Sequence, residues 1–411
     1  MKSFYSKLEI WLQGPFSNII TRFVKNPYVM ALQNAFQIVL PMILVGSIGN
    51  LIATLKKFWN FIPDLSFVNT FTFGGIAIYL AFILPYNVME NTGQKRQKII
   101  AGFSGIMALM YFINPIEKKD NIFSINLSYL GASGMTVALI IGLLIGWIFS
   151  VYFKHGIFSK NTQLPPIVVD WFESIIPIAL LAFICYMVAQ YIDVFNIIQQ
   201  IVNPLAKIGN TYLGFLLLYF IMALCYVLGL SAWAVYPIFL ALGLNNIAAN
   251  AAAVAAGHSP EFITTVEVVF VGWCCIGGMG STLPLNILMM RSKSKKTNAI
   301  AKAAIIPALF NINEPIMYGL PVVWNPLMMI PYLGLAIINP TIVYITFKLN
   351  LVSIPARIFQ MNYLPQPIAT FLTNYDWRGV ILWIVLFLIA LVVYYPFLQA
   401  YDKQEIQKEL T

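Results

Sequence analysis

The sequence predicts an all-α integral membrane protein of about ten transmembrane helices, some of them discontinuous. Of its 411 residues, 60% are hydrophobic and only 9% are charged, and the mean hydropathy is +0.80. An average soluble domain is about 45–50% apolar and about 25% charged. A soluble protein of this size could not bury so much apolar surface. The composition therefore excludes soluble enzymes, DNA-binding domains and disordered proteins.

Apolar stretches of sufficient length define the predicted elements in chain order. A spanning helix needs about 20 mostly apolar residues. Such stretches lie at residues 29–55, 72–90, 99–115, 129–153, 172–192, 212–242, 264–290, 321–347 and 378–399. The further apolar stretch 299–320 contains Pro307 and Pro315, and proline removes a helical hydrogen bond. We therefore expect this part of the membrane domain to be broken rather than continuous.

The basic residues predict the orientation in the membrane. Most of the 24 Lys and Arg residues lie in alternate connections: the N-terminal segment, the loops 91–98 and 154–160, the segment 291–302 and the C-terminal tail. By the positive-inside rule, both termini, the loop 91–98 and the segment 291–302 are predicted to be cytoplasmic. The net charge of +9 is thus attributed to membrane orientation rather than to nucleic-acid binding. The run Arg291–Lys296 is interpreted as a topology anchor, with contact to an acidic partner as the alternative.

The N-terminal segment 1–27 contains no long apolar core, so no cleavable signal peptide is predicted. Within it, the apolar residues of the stretch 3–13 recur at helical spacing, at Phe4, Leu8, Trp11 and Leu12. That spacing is typical of a helix lying in the membrane interface. A flexible leader is the alternative.

The cysteines and histidines are interpreted as structural. The four cysteines all lie in apolar stretches without a Cys-x-x-Cys pair: Cys185, Cys225, Cys274 and Cys275. We predict that they are buried small hydrophobic residues, with no metal site and no disulfide framework. His258 is expected in a loop, solvated or capped, and His155 at a helix end in the membrane interface.

One carboxylate stands alone in a long uncharged stretch. Between Lys302 and Lys348 the only charged residue is Glu314, within Phe310-Asn-Ile-Asn-Glu-Pro315. A charge inside an apolar segment is costly and is therefore a functional candidate. The adjacent proline frees backbone carbonyls that must face protein or water, as in the broken helices of transporters. Asparagine donors and a carboxylate acceptor suit a hydroxyl-rich ligand. The alternative is a glutamate paired inside the helix bundle.

The second candidate element is a glycine motif. The stretch Ile276–Pro284 carries three glycines in four positions followed by two hydroxyl residues: Gly277, Gly278, Gly280, Ser281 and Thr282. Glycines permit close backbone approach and a sharp chain reversal, so a re-entrant turn or a tight helix crossing is predicted. Plain helix packing is the alternative. A phosphate-binding loop is excluded, because no Lys–Ser/Thr pair follows.

These motifs, in this order, resemble enzyme IIC, the membrane subunit of the lactose/cellobiose/chitobiose family of the bacterial phosphoenolpyruvate-dependent sugar phosphotransferase system. The resemblance is carried by the stretch from Lys293 to Pro331, by Gly277–Leu283, by Leu164–Ile167 with Ser174–Pro177, and by Asp376–Arg378 with Tyr394–Asp402. It implies the fold of that superfamily, with re-entrant hairpins, in a homodimer in the bacterial cytoplasmic membrane. The implied domains are an N-terminal interfacial segment (1–27), a scaffold and dimerisation domain (28–195), a sugar-binding domain (196–400) and a cytoplasmic tail (401–411).

The resemblance also implies a function and a set of site residues. A β-linked disaccharide is bound, carried across the membrane by an elevator-like motion and presented through its C6 hydroxyl to a phosphocysteine on a separate IIB protein, which a IIA protein supplies. Glu314 matches the glutamate that faces this hydroxyl and is the expected catalytic residue, acting as general base. The expected sugar-binding residues are Asn313, Glu314, Ser231, Gly277, Gly278, Gly280, Ser281 and Thr282. No cofactor is expected, and the chain has no room for a IIA or IIB domain.

Three departures from the family pattern keep a second function open. Ser231, in Gly229-Leu-Ser-Ala232, stands where the family has a histidine, and a hydroxyl cannot titrate near pH 7. A charged pair is missing in Ala31–Ala35, and a proline- and tryptophan-containing motif is eroded at Ser353–Arg357. These losses favour an enzyme IIC-like protein without phosphotransfer: a facilitator, a sugar sensor or a docking partner. An unrelated transporter of the same size is the remaining alternative.

Overall fold

A computed structural model describes the molecule at residues 22, 25–56, 61, 63, 65–114, 116–119, 122–155, 166–229, 235–320, 322–362 and 364–410. The predicted interfacial helix 3–13 and the candidate Ser231 lie outside these residues. The chain divides into two compact units, one ending at Leu205 and the other beginning at Ala206.

The first unit is built mainly of membrane-length helices. They are α1 (Pro27–Leu55), α2 (Ser66–Phe71), α3 (Ile76–Asn91), α4 (Lys98–Ile113), α5 (Ala132–His155) and α6 (Pro166–Tyr191), followed by α7 (Val194–Gly209), which runs into the second unit. Helix α3 is central, packing against α1, α4 and α5. Gly105 of α4 is needed there, because an added Cβ would lie 2.0 Å from the Ala81 carbonyl oxygen of α3. Small residues allow helix backbones in a membrane to approach this closely.

The second unit contains long helices joined by non-helical backbone. Its elements are α8 (Tyr212–Val227), α9 (Tyr236–Ala255), a π-helical segment (Glu267–Gly272), α10 (Thr282–Met289), α11 (Lys295–Leu309), α12 (Glu314–Gly319), α13 (Pro326–Lys348), α14 (Gln366–Asn374) and α15 (Trp377–Leu410). Helices α8, α13 and α15 surround the short elements, with α13 packing against both of the others. The turn between the π-helical segment and α10 is almost entirely buried.

The all-helical membrane fold is confirmed. Among the described residues, six helices are long and apolar enough to cross a membrane, or seven if α7 and α8 count as one bent span. The number ten and the homodimer stay predictions. One element lies outside the all-α class: an antiparallel hairpin of β1 (Ile116–Lys119) and β2 (Ile122–Ile125), with Ile116 opposite Ile125.

Two of the predicted spans are divided in the structure, in line with the expectation that some segments are discontinuous. The span 212–242 is divided between α8 and α9: Gly229 adopts a left-handed φ of +69° after α8, and Pro237 stands in the first turn of α9. Glycine after a helix and proline at its start are the usual signals of such a break. The span 264–290 is a π-helical segment, a turn and the short α10. Conversely, Pro307 lies inside α11, so the break in 299–320 comes at residues 310–313. Helices α7 and α14 were not predicted.

Asp376 fastens the start of α15 to the preceding loop. Its carboxylate accepts the Ser353 backbone N–H at 2.9 Å and the Arg378 guanidinium at 2.7 Å, and the Asp376 side chain is only 7% exposed. The Arg378 guanidinium, together with the Ser353 N–H, holds the pKa of Asp376 well below its usual range. This explains in structural terms the Asp-Trp-Arg motif seen in the sequence.

We expect Asp376→Asn to lower the free energy of unfolding by about 2 kcal/mol at pH 7, because charged hydrogen bonds to a buried carboxylate are lost. A carboxyl whose pKa is lowered by folding stabilises the protein above its unfolded pKa of about 3.9, and this contribution disappears as pH falls through the folded value. Thermal melts of the wild type and the variant in detergent should therefore converge below pH 4. A difference independent of pH would show that the carboxylate charge is not responsible.

Candidate functional site

The glycine motif forms a buried chain reversal. Four of its residues have left-handed backbone angles: Gly277 (φ +72°), Gly278 (+107°), Gly280 (+77°) and Ser281 (+56°). The reversal is closed by backbone hydrogen bonds, including Leu283 N–H to the Ile276 carbonyl at 3.1 Å. Left-handed angles cost little only at glycine. The sharp reversal predicted from the sequence is therefore present, and we call residues 275–283 the glycine turn.

Single polar side chains from three long helices hold the glycine turn. The Tyr219 hydroxyl of α8 donates to the Cys274 carbonyl at 2.7 Å and accepts the Gly280 N–H at 3.2 Å. Tyr394 of α15 donates to the Gly280 carbonyl at 2.7 Å. The Asn339 amide of α13 donates to the Ser281 hydroxyl at 2.8 Å. The turn is thus fixed on three sides by groups that are themselves buried.

Two candidate residues of the glycine turn are used internally. The Thr282 hydroxyl donates to the Gly277 carbonyl at 2.8 Å, and the Ser281 hydroxyl donates to the Cys274 carbonyl at 3.2 Å. Both side chains are fully buried. In this structure their hydroxyl groups shape the turn, and they are not open to a ligand.

The two predicted motifs meet in the structure. The Asn313 amide donates to the Met279 carbonyl at 2.9 Å, and the Gly277 N–H donates to the Asn311 amide oxygen at 3.0 Å. A Cβ on Gly278 would lie 2.4 Å from Cγ of Asn313. The glycine turn and the Asn-Glu-Pro segment therefore form one unit in which glycine is sterically required.

Glu314 begins α12, and its side chain is exposed, whereas Asn313 is buried. Among the described residues Glu314 forms no ion pair, so pairing with a cation inside the bundle is not observed. The Tyr226 hydroxyl of α8 donates to the Asn313 amide oxygen at 3.1 Å and also interacts with the Glu314 carboxylate. The site thus presents an exposed carboxylate, with the Tyr226 hydroxyl beside it, next to an amide that is held in a fixed orientation.

Gly229, at the end of α8, lies beside Trp324, which follows α12. A Cβ on Gly229 would lie 3.3 Å from the indole nitrogen of Trp324. The backbone N–H of Trp324 donates to the Val227 carbonyl at 3.2 Å. The candidate Ser231 itself lies outside the described residues. Trp324 adds a partly exposed aromatic ring near the candidate site.

The remaining titratable candidates lie elsewhere. His258 is exposed in the turn after α9, where its backbone N–H donates to the Ala253 carbonyl at 2.8 Å. His155 is exposed at the end of α5. The predicted burial of the cysteines is confirmed: all four are free and buried.

Sequence reasoning missed the residues that hold the site. Tyr219, Tyr226 and Asn339 belong to no motif, and Tyr394 entered only through the resemblance carried by Tyr394–Asp402. A tyrosine hydroxyl in a buried position usually needs a partner, which was the available signal.

The chain is similar to a known protein family, to individual relatives and to a solved structure. A family model described as "Phosphotransferase system, EIIC" matches residues 33–336. The chain is 27% identical to the lactose-specific EIICB component of the phosphotransferase system of Staphylococcus epidermidis, over 98% of this chain and 72% of that protein. It is also 27% identical to the lichenan permease IIC component of Bacillus subtilis, over 95% of this chain and 93% of that one. The crystal structure of ChbC, the IIC component of the N,N'-diacetylchitobiose-specific system, superposes with a TM-score of 0.84 at 22% identity, covering 96% of this chain and 98% of that one.

Proposed function

Because the chain belongs to the EIIC family of the phosphotransferase system, we propose that it is a sugar permease subunit that takes a β-linked disaccharide through the membrane and presents its C6 hydroxyl for phosphorylation. The observation that carries this proposal is the exposed Glu314 carboxylate, held beside Asn313 and the glycine turn. A carboxylate acceptor in a membrane-embedded unit is costly unless it is used.

The proposed substrate class follows from the chemistry of the site and from the relatives. A carboxylate and a tyrosine hydroxyl, without a basic partner among the described residues, suit an uncharged ligand with many hydroxyl groups. The relatives are named for lactose, lichenan and N,N'-diacetylchitobiose. A cellobiose-, chitobiose- or lactose-type sugar is therefore proposed. Ser231 is proposed as a sugar-binding residue as well, because it stands where the family has a histidine.

Glu314 has a direct role in the proposed reaction. Its carboxylate accepts a hydrogen bond from the C6 hydroxyl of the bound sugar. When phospho-IIB docks, the S–P bond of its cysteine breaks and an O–P bond forms on the sugar, while the hydroxyl proton passes to Glu314. General-base catalysis of this kind contributes about 10²–10⁴-fold. The IIB and IIA proteins of the same system are the proposed partners.

The remaining proposals concern architecture. Residues 28–195 are proposed as the scaffold and dimerisation domain, and residues 196–400 as the transport domain that moves in an elevator-like manner. The termini are proposed to face the cytoplasm, since the basic connections lie on that side.

Uptake with and without phospho-IIB tests the proposed function. Vesicles containing the protein should accumulate sugar phosphate when IIA, IIB and a phosphoryl donor are present on the cytoplasmic side, and should accumulate none when the IIB cysteine is replaced by serine. Rapid equilibration of free sugar without phospho-IIB, and no sugar phosphate with it, would favour the facilitator instead.

Tyr226→Phe should weaken sugar binding about tenfold while leaving the fold intact. The variant removes the donor to the buried Asn313 amide oxygen, and leaving a buried acceptor unsatisfied costs about 1–3 kcal/mol. Titration calorimetry on the purified protein measures the change. Tyr395→Phe, at an exposed position of α15 where the hydroxyl contacts Gln399, is the matched control and should bind nearly as the wild type does. Equal affinities for Tyr226→Phe and the wild type would remove Tyr226 from the site.

A further inference from the structure

Glu267 is a second carboxylate in the sugar-binding unit, and the mechanism above does not use it. It begins the π-helical segment and is 0% exposed. Its Oε1 accepts the Phe359 backbone N–H at 3.0 Å and the Gln360 side-chain amide. Its Oε2 has no hydrogen-bond partner among the residues that the structure describes. Burying a carboxyl group costs free energy when one of its oxygens lacks a hydrogen-bond partner. We therefore expect Glu267 to have a specific role.

The loop that Glu267 holds leads directly to the candidate site. Two residues beyond Gln360, the Asn362 carbonyl accepts the Asn311 amide at 2.7 Å. The other end of the same amide, the Asn311 oxygen, accepts the Gly277 N–H at 3.0 Å. Both ends of the Asn311 side chain are therefore fixed, one by the loop and one by the glycine turn.

Asn311 has a left-handed backbone conformation, which asparagine adopts more readily than most other residues. Its φ is +63°, and this conformation directs the Asn311 side chain between Gly277 and Asn362. Three residues later, Glu314 begins α12. The orientation of Asn311 therefore sets where the Asn313–Glu314 pair stands relative to the glycine turn.

We propose that Glu267 is a positioning residue of the sugar site. It anchors the Phe359–Asn362 loop, so that the Asn362 carbonyl holds the Asn311 side chain in its contact with Gly277. Glu314, three residues after Asn311, thereby keeps its position relative to the sugar. The role deepens the proposed function and rests on it for the identity of the ligand. The mechanical link itself is independent of which ligand is bound.

A double-mutant cycle on the full-length protein in detergent tests the link. The probe is whichever of cellobiose, N,N'-diacetylchitobiose and lactose binds the wild type most tightly, measured by calorimetry. Glu267→Ala and Asn311→Ala should each weaken binding at least tenfold. The double variant should be no weaker than the worse single variant, within about threefold, because both changes break one connection.

The conservative variant separates positioning from mere folding. Glu267→Gln retains an oxygen acceptor for Phe359 and Gln360, so its affinity should stay within about threefold of the wild type. Affinities that multiply in the double variant, or a Glu267→Gln variant as weak as Glu267→Ala, would overturn the proposal.

A ligand-free readout distinguishes failure of this inference from failure of the proposed function. Amide hydrogen exchange in peptides covering residues 276–283 should accelerate at least tenfold in Glu267→Ala and remain near the wild-type rate in Glu267→Gln. If the wild type binds none of the three sugars while exchange responds in this way, the proposed function fails and the positioning role stands. Unchanged exchange in a folded Glu267→Ala protein would disprove the positioning role.

Discussion

Glu314→Gln should lower the rate of sugar phosphorylation at least about 100-fold, while sugar affinity falls no more than about tenfold. Glutamine keeps the shape and one oxygen acceptor for the hydroxyl hydrogen bond, but it cannot take the proton when the phosphoryl group is transferred. Phosphorylation is measured with purified IIA, IIB and the phosphoryl donor, and affinity by calorimetry on the same preparation.

Glu261→Gln is the matched control for this result. It removes one carboxylate charge from an exposed position outside the glycine turn and the Asn-Glu-Pro segment, and should phosphorylate sugar at the wild-type rate. If Glu314→Gln also phosphorylates at that rate, the general-base role of Glu314 is wrong. If both variants lose activity equally, the effect is one of surface charge.

Gly278→Ala should weaken sugar binding at least about 100-fold. The added Cβ would lie 2.4 Å from Cγ and 2.7 Å from Nδ2 of Asn313, so Asn313 must move away and lose its bond to the Met279 carbonyl. In addition, a φ of +107° is open essentially to glycine alone, at a cost of about 1–3 kcal/mol for other residues. The carboxylate next to Asn313 would be displaced with it.

The control for Gly278 isolates backbone strain from the steric clash. Gly257 also has a positive φ, of +79°, but an added Cβ there would meet no atom within 4 Å. Gly257→Ala should therefore lower the melting temperature slightly and leave binding unchanged. Wild-type affinity in a folded Gly278→Ala protein would show that the contact between the two motifs does not shape the site.

The sequence predicted well those parts of the fold that local composition controls. Helices α1, α4 and α5 appear within three residues of their expected bounds because each is a long apolar run. Helix α15 instead continues past the predicted end at residue 399 to Leu410. The stretch 212–242 was not recognised as parts of two helices, because its mean hydropathy stays high across the break at Gly229. Helix α9 was obscured for a related reason: its second half contains Asn246 and Asn250, which are buried and hydrogen-bonded to backbone carbonyls.

The candidate site shows the same division. The glycine turn and the Asn-Glu-Pro segment were each predicted from residue type, but their contact through Asn313 and Met279 depends on tertiary packing and leaves no trace in local sequence. The contacts of Tyr219 and Tyr394 with the glycine turn likewise depend on tertiary packing. Glu267 is different: it is a charge inside a predicted membrane span, and the rule that selected Glu314 would also have selected it.

Sugar binding to the purified wild-type protein is the most direct test of the central claim that the glycine turn and Glu314 form a disaccharide site. A ligand that binds only the native state at 100 times its Kd stabilises it by about 2.7 kcal/mol, so melting temperature is a sufficient readout. The structure and the family predict a saturable rise with at least one of cellobiose, N,N'-diacetylchitobiose and lactose. This rise should be weaker in Glu314→Gln, and the α-linked disaccharide maltose should give none. A folded protein whose melting temperature none of these β-linked sugars changes would contradict the assignment.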